Sequence, residues 1–211
     1  VALPLAFFAQ ARLAGAGTAL SVVAVWLKMT LPILDAHVAS AGAADVFMAA
    51  TYGLAVIAAC RWSVTREAPM AWLALVMAVA GVLVKVEGVL WMSTLVPGVV
   101  VALSRRAGFA LAGAAAVAFA GYLAFGPARL PLMGYVLLSR PVNVLPAVID
   151  HVFVFDNWHL AAYAIVALVA WRWRSLLSPR LAPMTMTMAA AVGLVVVVYF
   201  FTSAAGGVAD E

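Results

Sequence analysis

Residues 72–103 read WLALVMAVAGVLVKVEGVLWMSTLVPGVVVAL, an apolar stretch whose only charges are Lys85 and Glu87. One membrane-spanning helix needs roughly 20 apolar residues, so this stretch is too long for one and is divided by Lys85-Val86-Glu87-Gly88. A charge at membrane depth costs roughly 2.5–3.5 kcal/mol on insertion scales and therefore tends to mark function. On a continuous helix, residues two apart do not face each other. Gly88 predicts that the first helix ends here and that the chain turns back, so that both side chains point into the mouth of a hairpin. The stretch thus sets the expected fold class as all-α, a polytopic helical membrane protein.

The rest of the chain carries the same signature. Of 211 residues, 68% are hydrophobic and 9% are charged, and the mean hydropathy is +1.15. No soluble domain has such a composition. The apolar runs are continuous rather than alternating, which argues against a β-barrel. Eight apolar segments are predicted, at 1–11, 19–34, 44–60, 69–84, 89–103, 108–125, 160–171 and 183–202, forming one transmembrane domain over 1–211. The chain starts at Val1 with a run too short for a whole span, so an interior piece of a larger protein is expected. The single cysteine, Cys60, excludes an intrachain disulfide and reads as an inert core thiol.

The net charge of +4 is not a nucleic-acid signal, because the basic residues gather in particular connections. Arg12, Arg61, Arg66, Arg105, Arg106, Arg172, Arg174 and Arg180 occupy every second connection, which the positive-inside rule assigns to the cytoplasm. The alternate connections hold Asp35, His37, Asp45, Lys85, Glu87, Arg129, Arg140, Asp150, His151, Asp156 and His159, and are expected to face outward. Lys28 stands inside the second segment; with Trp26 it is expected to snorkel or to face a cleft. The outward connection 126–159 contains four helix-breaking prolines around apolar residues 130–138. A short interfacial helix on the membrane surface is predicted there, with Phe153, Phe155 and Trp158 in an outer aromatic belt. The Ala/Gly-rich stretch 107–121 permits close packing against protein subunits.

Three groups of residues are candidates for chemistry. Asp45 opens a helix, where the macrodipole alone would stabilise it by about 0.3–1 kcal/mol; with His37 it would line an outward cavity for a metal or a sugar hydroxyl. Lys85 beside Glu87 is either a structural ion pair or a point charge for a phosphate. Asp150 and His151, with Asp156 and His159, are of the types that bind a divalent cation, although their spacing matches no strong signature. No nucleotide-binding loop, hydrolase elbow or zinc-protease motif is present. A donor group must therefore come from elsewhere, such as a lipid-linked substrate.

The order of these features is specific. Pro32-Ile33-Leu34-Asp35-Ala36-His37 is followed by a small-residue turn and Asp45, then by an apolar helix ending Cys60-Arg61-Trp62, then by Ala71-Trp72-Leu73, Gly81 and Lys85-Val86-Glu87-Gly88. Over these 60 or so residues the chain resembles the membrane core of GT-C glycosyltransferases, the class of protein mannosyltransferases and aminoarabinose transferases. The resemblance implies transfer of a sugar from a polyprenyl-phosphate donor to an acceptor on the outer face of a bacterial inner membrane. It implies that Asp45 is the acidic residue of the second outward loop and Lys85 the basic residue near the lipid phosphate. It also implies that the main catalytic carboxylate lies upstream of Val1. The expected partners are membrane lipid and the lipid-linked sugar, with a divalent metal ion as a candidate cofactor. The rival expectations are a non-catalytic membrane subunit of a larger complex and, third, a transporter.

Overall fold

The computed structural model describes residues 2–13, 15–30, 44–85, 87–132, 135–154, 161–176 and 178–202. Its helices are α1 (Ala2–Leu13), α2 (Thr18–Met29), α3 (Ala44–Thr65), α4 (Ala68–Val84), α5 (Gly88–Ser93), α6 (Leu95–Leu103), α7 (Arg105–Phe125), α8 (Leu145–Ile149), α9 (Ala161–Leu176) and α10 (Ala182–Phe201). A two-stranded hairpin, β1 (Arg129–Leu132) and β2 (Tyr135–Leu138), lies between α7 and α8. The described residues are therefore overwhelmingly helical, as expected. Among the described residues, three helices, α3, α7 and α10, are long and apolar enough to cross a membrane, and α2, α4 and the stretch Gly88–Leu103 are shorter and apolar. The chain thus has the character of a helical membrane protein.

The core forms where α3, α4 and the α5–α6 pair meet. Ala55, Val56, Met92 and Leu95 are buried together, with Tyr52, Ala59, Cys60, Met77 and Ala78 packed around them. Cys60 accordingly sits as a half-buried core thiol. The Thr94 hydroxyl donates to the Trp91 carbonyl at 2.6 Å, so the Tyr52 hydroxyl, 2.7 Å from Thr94 Oγ1, is the donor in that second bond. The Tyr52 ring meets Trp91 edge-on at 5.6 Å. Small residues set the closest approaches. Gly98 on α6 faces the Pro183 carbonyl and Thr187 of α10, and Gly108 on α7 lies against Val101 of α6. In the run 184–188 it is Thr187 that turns inward, whereas Met184 and Met188 are exposed.

One expectation is refined and another corrected. The apolar segment 89–103 is helical, with a one-residue interruption at Thr94 between α5 and α6. Pro97 explains the break, since it has no N–H to give to the Ser93 carbonyl and its ring crowds that carbonyl. The described residues of 130–138 form no interfacial helix. They are paired antiparallel strands, with Arg129 opposite Leu138 and Pro131 opposite Val136. Pro131 is incompatible with a helix interior and tolerable in a two-stranded ribbon, which has only edges. Tyr122 at the end of α7 donates to the Leu137 carbonyl at 2.9 Å, and Leu137 also bridges to Thr202 after α10. The hairpin therefore caps the ends of two long helices.

The tight connections sort the charges. Arg66-Glu67 joins α3 to α4, and Ser104 alone joins α6 to α7, accepting from the Ala107 N–H as an N-cap. The Arg66 guanidinium donates to the Ala102 carbonyl, which brings these two connections together at one end of the bundle. Arg61, Arg105 and Arg106 flank them, and the start of α10 packs at the same level, on Gly98. Asp45, Lys85 and Glu87 lie at the opposite ends of α3, α4 and α5.

Arg66 itself adopts φ 59, the left-handed region that favours glycine. Its N–H closes α3 on the Trp62 carbonyl at 2.8 Å, and its guanidinium lies 5.1 Å from the Trp62 ring. Arg66→Ala keeps the backbone cost and removes both side-chain contacts. Arg66→Gly removes the contacts but relieves the backbone, so thermal unfolding in detergent should find the glycine variant more stable than the alanine variant by about 1 kcal/mol. Equal stability of the two would mean that the turn relaxes out of this conformation.

Candidate functional site

The candidate site is built by three helix ends. α3 starts at Ala44, so Asp45 stands in its first turn, where the dipole favours an anion. α4 runs as far as Val84 because 69–84 is uninterrupted by charge, and Lys85 leaves it in an extended conformation (φ −155, ψ 148). Its position at a helix C-terminus favours a cation. The Lys85 carbonyl accepts from the Gly88 N–H at 2.8 Å, closing the turn into α5, and Glu87 is the N-cap of that helix. Gly88 is buried, and a side chain on it would overlap the Gly81 carbonyl of α4. The two glycines let α5 fold directly back on α4, which fixes where Lys85 and Glu87 emerge.

Lys85 Nζ lies 2.8 Å from Asp45 Oδ1 and 3.8 Å from Glu87 Oε1. One ammonium thus bridges two carboxylates from different elements, leaving the three groups with a formal charge of −1. Their side chains are 36%, 42% and 32% exposed, so the cluster is wetted rather than sealed. At that exposure each pair contributes about 1 kcal/mol or less to folding. The structure brings Asp45 and Lys85, expected from separate sequence features, into direct contact. The helix break expected before Gly88 is present as well. The direct contact also realises the plainer alternative, a structural ion pair.

The remaining candidates are distributed differently. Asp35, His37, Asp156 and His159 lie outside the described residues, as do Phe155 and Trp158 of the expected aromatic belt. Asp150 and His151 begin a π-helical turn, Asp150–Val154, that follows α8. Among the described residues, no group of three or more His, Cys, Asp and Glu side chains stands close enough to hold a metal ion. Lys28 Nζ lies 5.1 Å from the centre of the Phe7 ring on α1.

Two features went unread in the sequence. One is the Gly81–Gly88 approach, signalled by two glycines flanking the charged turn. The other is an apolar groove of about 350 Å³ between α3, α4 and α5–α6, lined by residues including Ala59, Trp62, Ala78, Met92, Leu95 and Val99. Met92, one of its lining residues, is one helical turn beyond Gly88, and Gly81 faces it. Compared with protein-family models, curated proteins and solved structures, the chain has no match.

Proposed function

We propose that this chain is part of an inverting, lipid-linked sugar transferase of the GT-C class. It acts at the outer face of a bacterial inner membrane, with about eight spans and the basic connections in the cytoplasm. The observation that carries the reading is the Asp45–Lys85–Glu87 cluster, a cation between two carboxylates at the wetted ends of apolar helices. Each part has a chemical role. Lys85 gives a compact, strongly hydrated point charge to a lipid phosphate and stabilises the negative charge that grows on it as the sugar departs. Asp45, the more exposed of the two, serves the sugar or the acceptor hydroxyl. Met92 and the groove beyond it offer an apolar path for the isoprenoid chain away from Lys85. A divalent ion at the sugar phosphate, with His37, Asp150, His151, Asp156 or His159 among its ligands, belongs to the same proposal.

The pairing itself favours a second reading from another class. A lysine already held by two carboxylates is what a structural clamp in a non-catalytic membrane subunit would have. Titrating the purified protein with a polyprenyl phosphate and with the parent polyprenol separates the two. The transferase reading expects the phosphate to bind at least about tenfold more tightly, the equivalent of one charge-assisted hydrogen bond at partial exposure. Equal affinity for alcohol and phosphate would favour the subunit.

A further inference from the structure

The basic end of the bundle carries a second charged feature that the transferase reading does not use. The last two turns of α9 carry Trp171-Arg172-Trp173-Arg174. The Arg172 guanidinium lies 4.8 Å from the Trp171 ring, and that of Arg174 lies 5.4 Å from the Trp173 ring. Trp171 is 73% exposed and Trp173 53%, although indoles are the costliest side chains to leave uncovered by anything apolar. Residues 161–170 of the same helix are apolar and carry no charge. Among the described residues, neither Arg172 nor Arg174 has a carboxylate partner.

We propose that this end of α9 binds the phosphodiester headgroup of an anionic phospholipid. An indole belongs at the boundary between acyl chains and headgroups, apolar ring in and N–H outward. A guanidinium held over an indole by cation–π attraction still presents its in-plane N–H groups to an acceptor. Those N–H groups match phosphate oxygens in a forked geometry that a lysine cannot reproduce. The apolar body of α9 then lies beside the acyl chains of the same lipid. Residues 172 and 174 are two apart on a helix and so project to different sides, which makes two adjacent headgroup sites rather than one. Charge complementarity selects an anionic lipid over a zwitterionic one, by about fivefold per arginine at a membrane surface.

The test is lipid exchange on the whole purified protein in mixed vesicles of phosphatidylglycerol and phosphatidylcholine. Preference is read from quenching of Trp fluorescence by the brominated form of either lipid, in wild type, Arg172→Gln/Arg174→Gln and Arg172→Lys/Arg174→Lys. The wild type should prefer the anionic lipid by about 25-fold more than the glutamine variant does. The lysine variant should fall between them, and inorganic phosphate should not compete. A glutamine variant with undiminished preference would overturn the site. A lysine variant equal to wild type would overturn the stacked, forked geometry, and displacement of the lipid by inorganic phosphate would overturn the assignment to a lipid.

Discussion

Replacing Gly88 by alanine will lower stability by about 3 kcal/mol, a fall in melting temperature of about 6–12 °C. The added methyl would overlap the Gly81 carbonyl, which is backbone inside α4 and has no rotamer by which to retreat. Relief requires α5 to move off α4, and α5 carries Met92 into the core beside Ala55 and Val56. The cost therefore lies at the upper end for overpacking. Gly113→Ala on α7 is the matched control, because nothing lies within 4 Å of where its methyl would go. That variant should melt within about 0.5 kcal/mol of wild type, or slightly above it, since alanine is the better helix former. Thermal unfolding of both in the same detergent decides the matter. A Gly88→Ala protein as stable as the control would mean that α4 and α5 do not make this contact.

On the transferase reading, Asp45→Asn should reduce sugar transfer by about a hundredfold without weakening donor binding. Asparagine keeps the shape of the side chain and can still accept from Lys85, so α3 and the cluster survive. What is lost is a carboxylate able to hold a proton or a metal ion. Donor affinity should hold or improve, because a neutral residue competes less with the lipid phosphate for the Lys85 ammonium. Turnover and donor affinity measured on one preparation separate this from a folding defect, which would lower both. Unchanged turnover would place Asp45 in a structural ion pair.

The parts of the fold that follow from local chemistry were readable in the sequence. α4 ends where charge interrupts its apolar run, and α3 begins at Ala44 beside Asp45, because helix ends respond to nearby residues. The break at Thr94 was hidden because Pro97 lies within an otherwise unbroken apolar run, and hydropathy is blind to a missing N–H. The hairpin at 129–138 was hidden for a related reason. Leu130-Pro131-Leu132 and Tyr135-Val136-Leu137-Leu138 are apolar at every position, so period cannot tell strand from helix there. What decides for strands is Pro131 together with the partners that α7 and α10 supply at Leu137. In the site, Asp45 and Lys85 were legible one by one, as a carboxylate opening a helix and a cation at a charged helix break. The 2.8 Å contact between residues 40 apart in sequence depends on how α3 packs on α4, which no local pattern encodes.

The central claim is that Lys85 recognises a lipid phosphate, and the affinity ratio of polyprenyl phosphate to polyprenol, compared between wild type and Lys85 variants, tests it most directly. The ratio cancels everything the isoprenoid chain contributes. It should fall from about tenfold or more in wild type to about one in Lys85→Ala, while Lys85→Arg keeps part of it, since charge rather than forked geometry is what the site uses. A ratio in Lys85→Ala equal to that of wild type would contradict the account and leave the Asp45–Lys85–Glu87 cluster as a structural clamp.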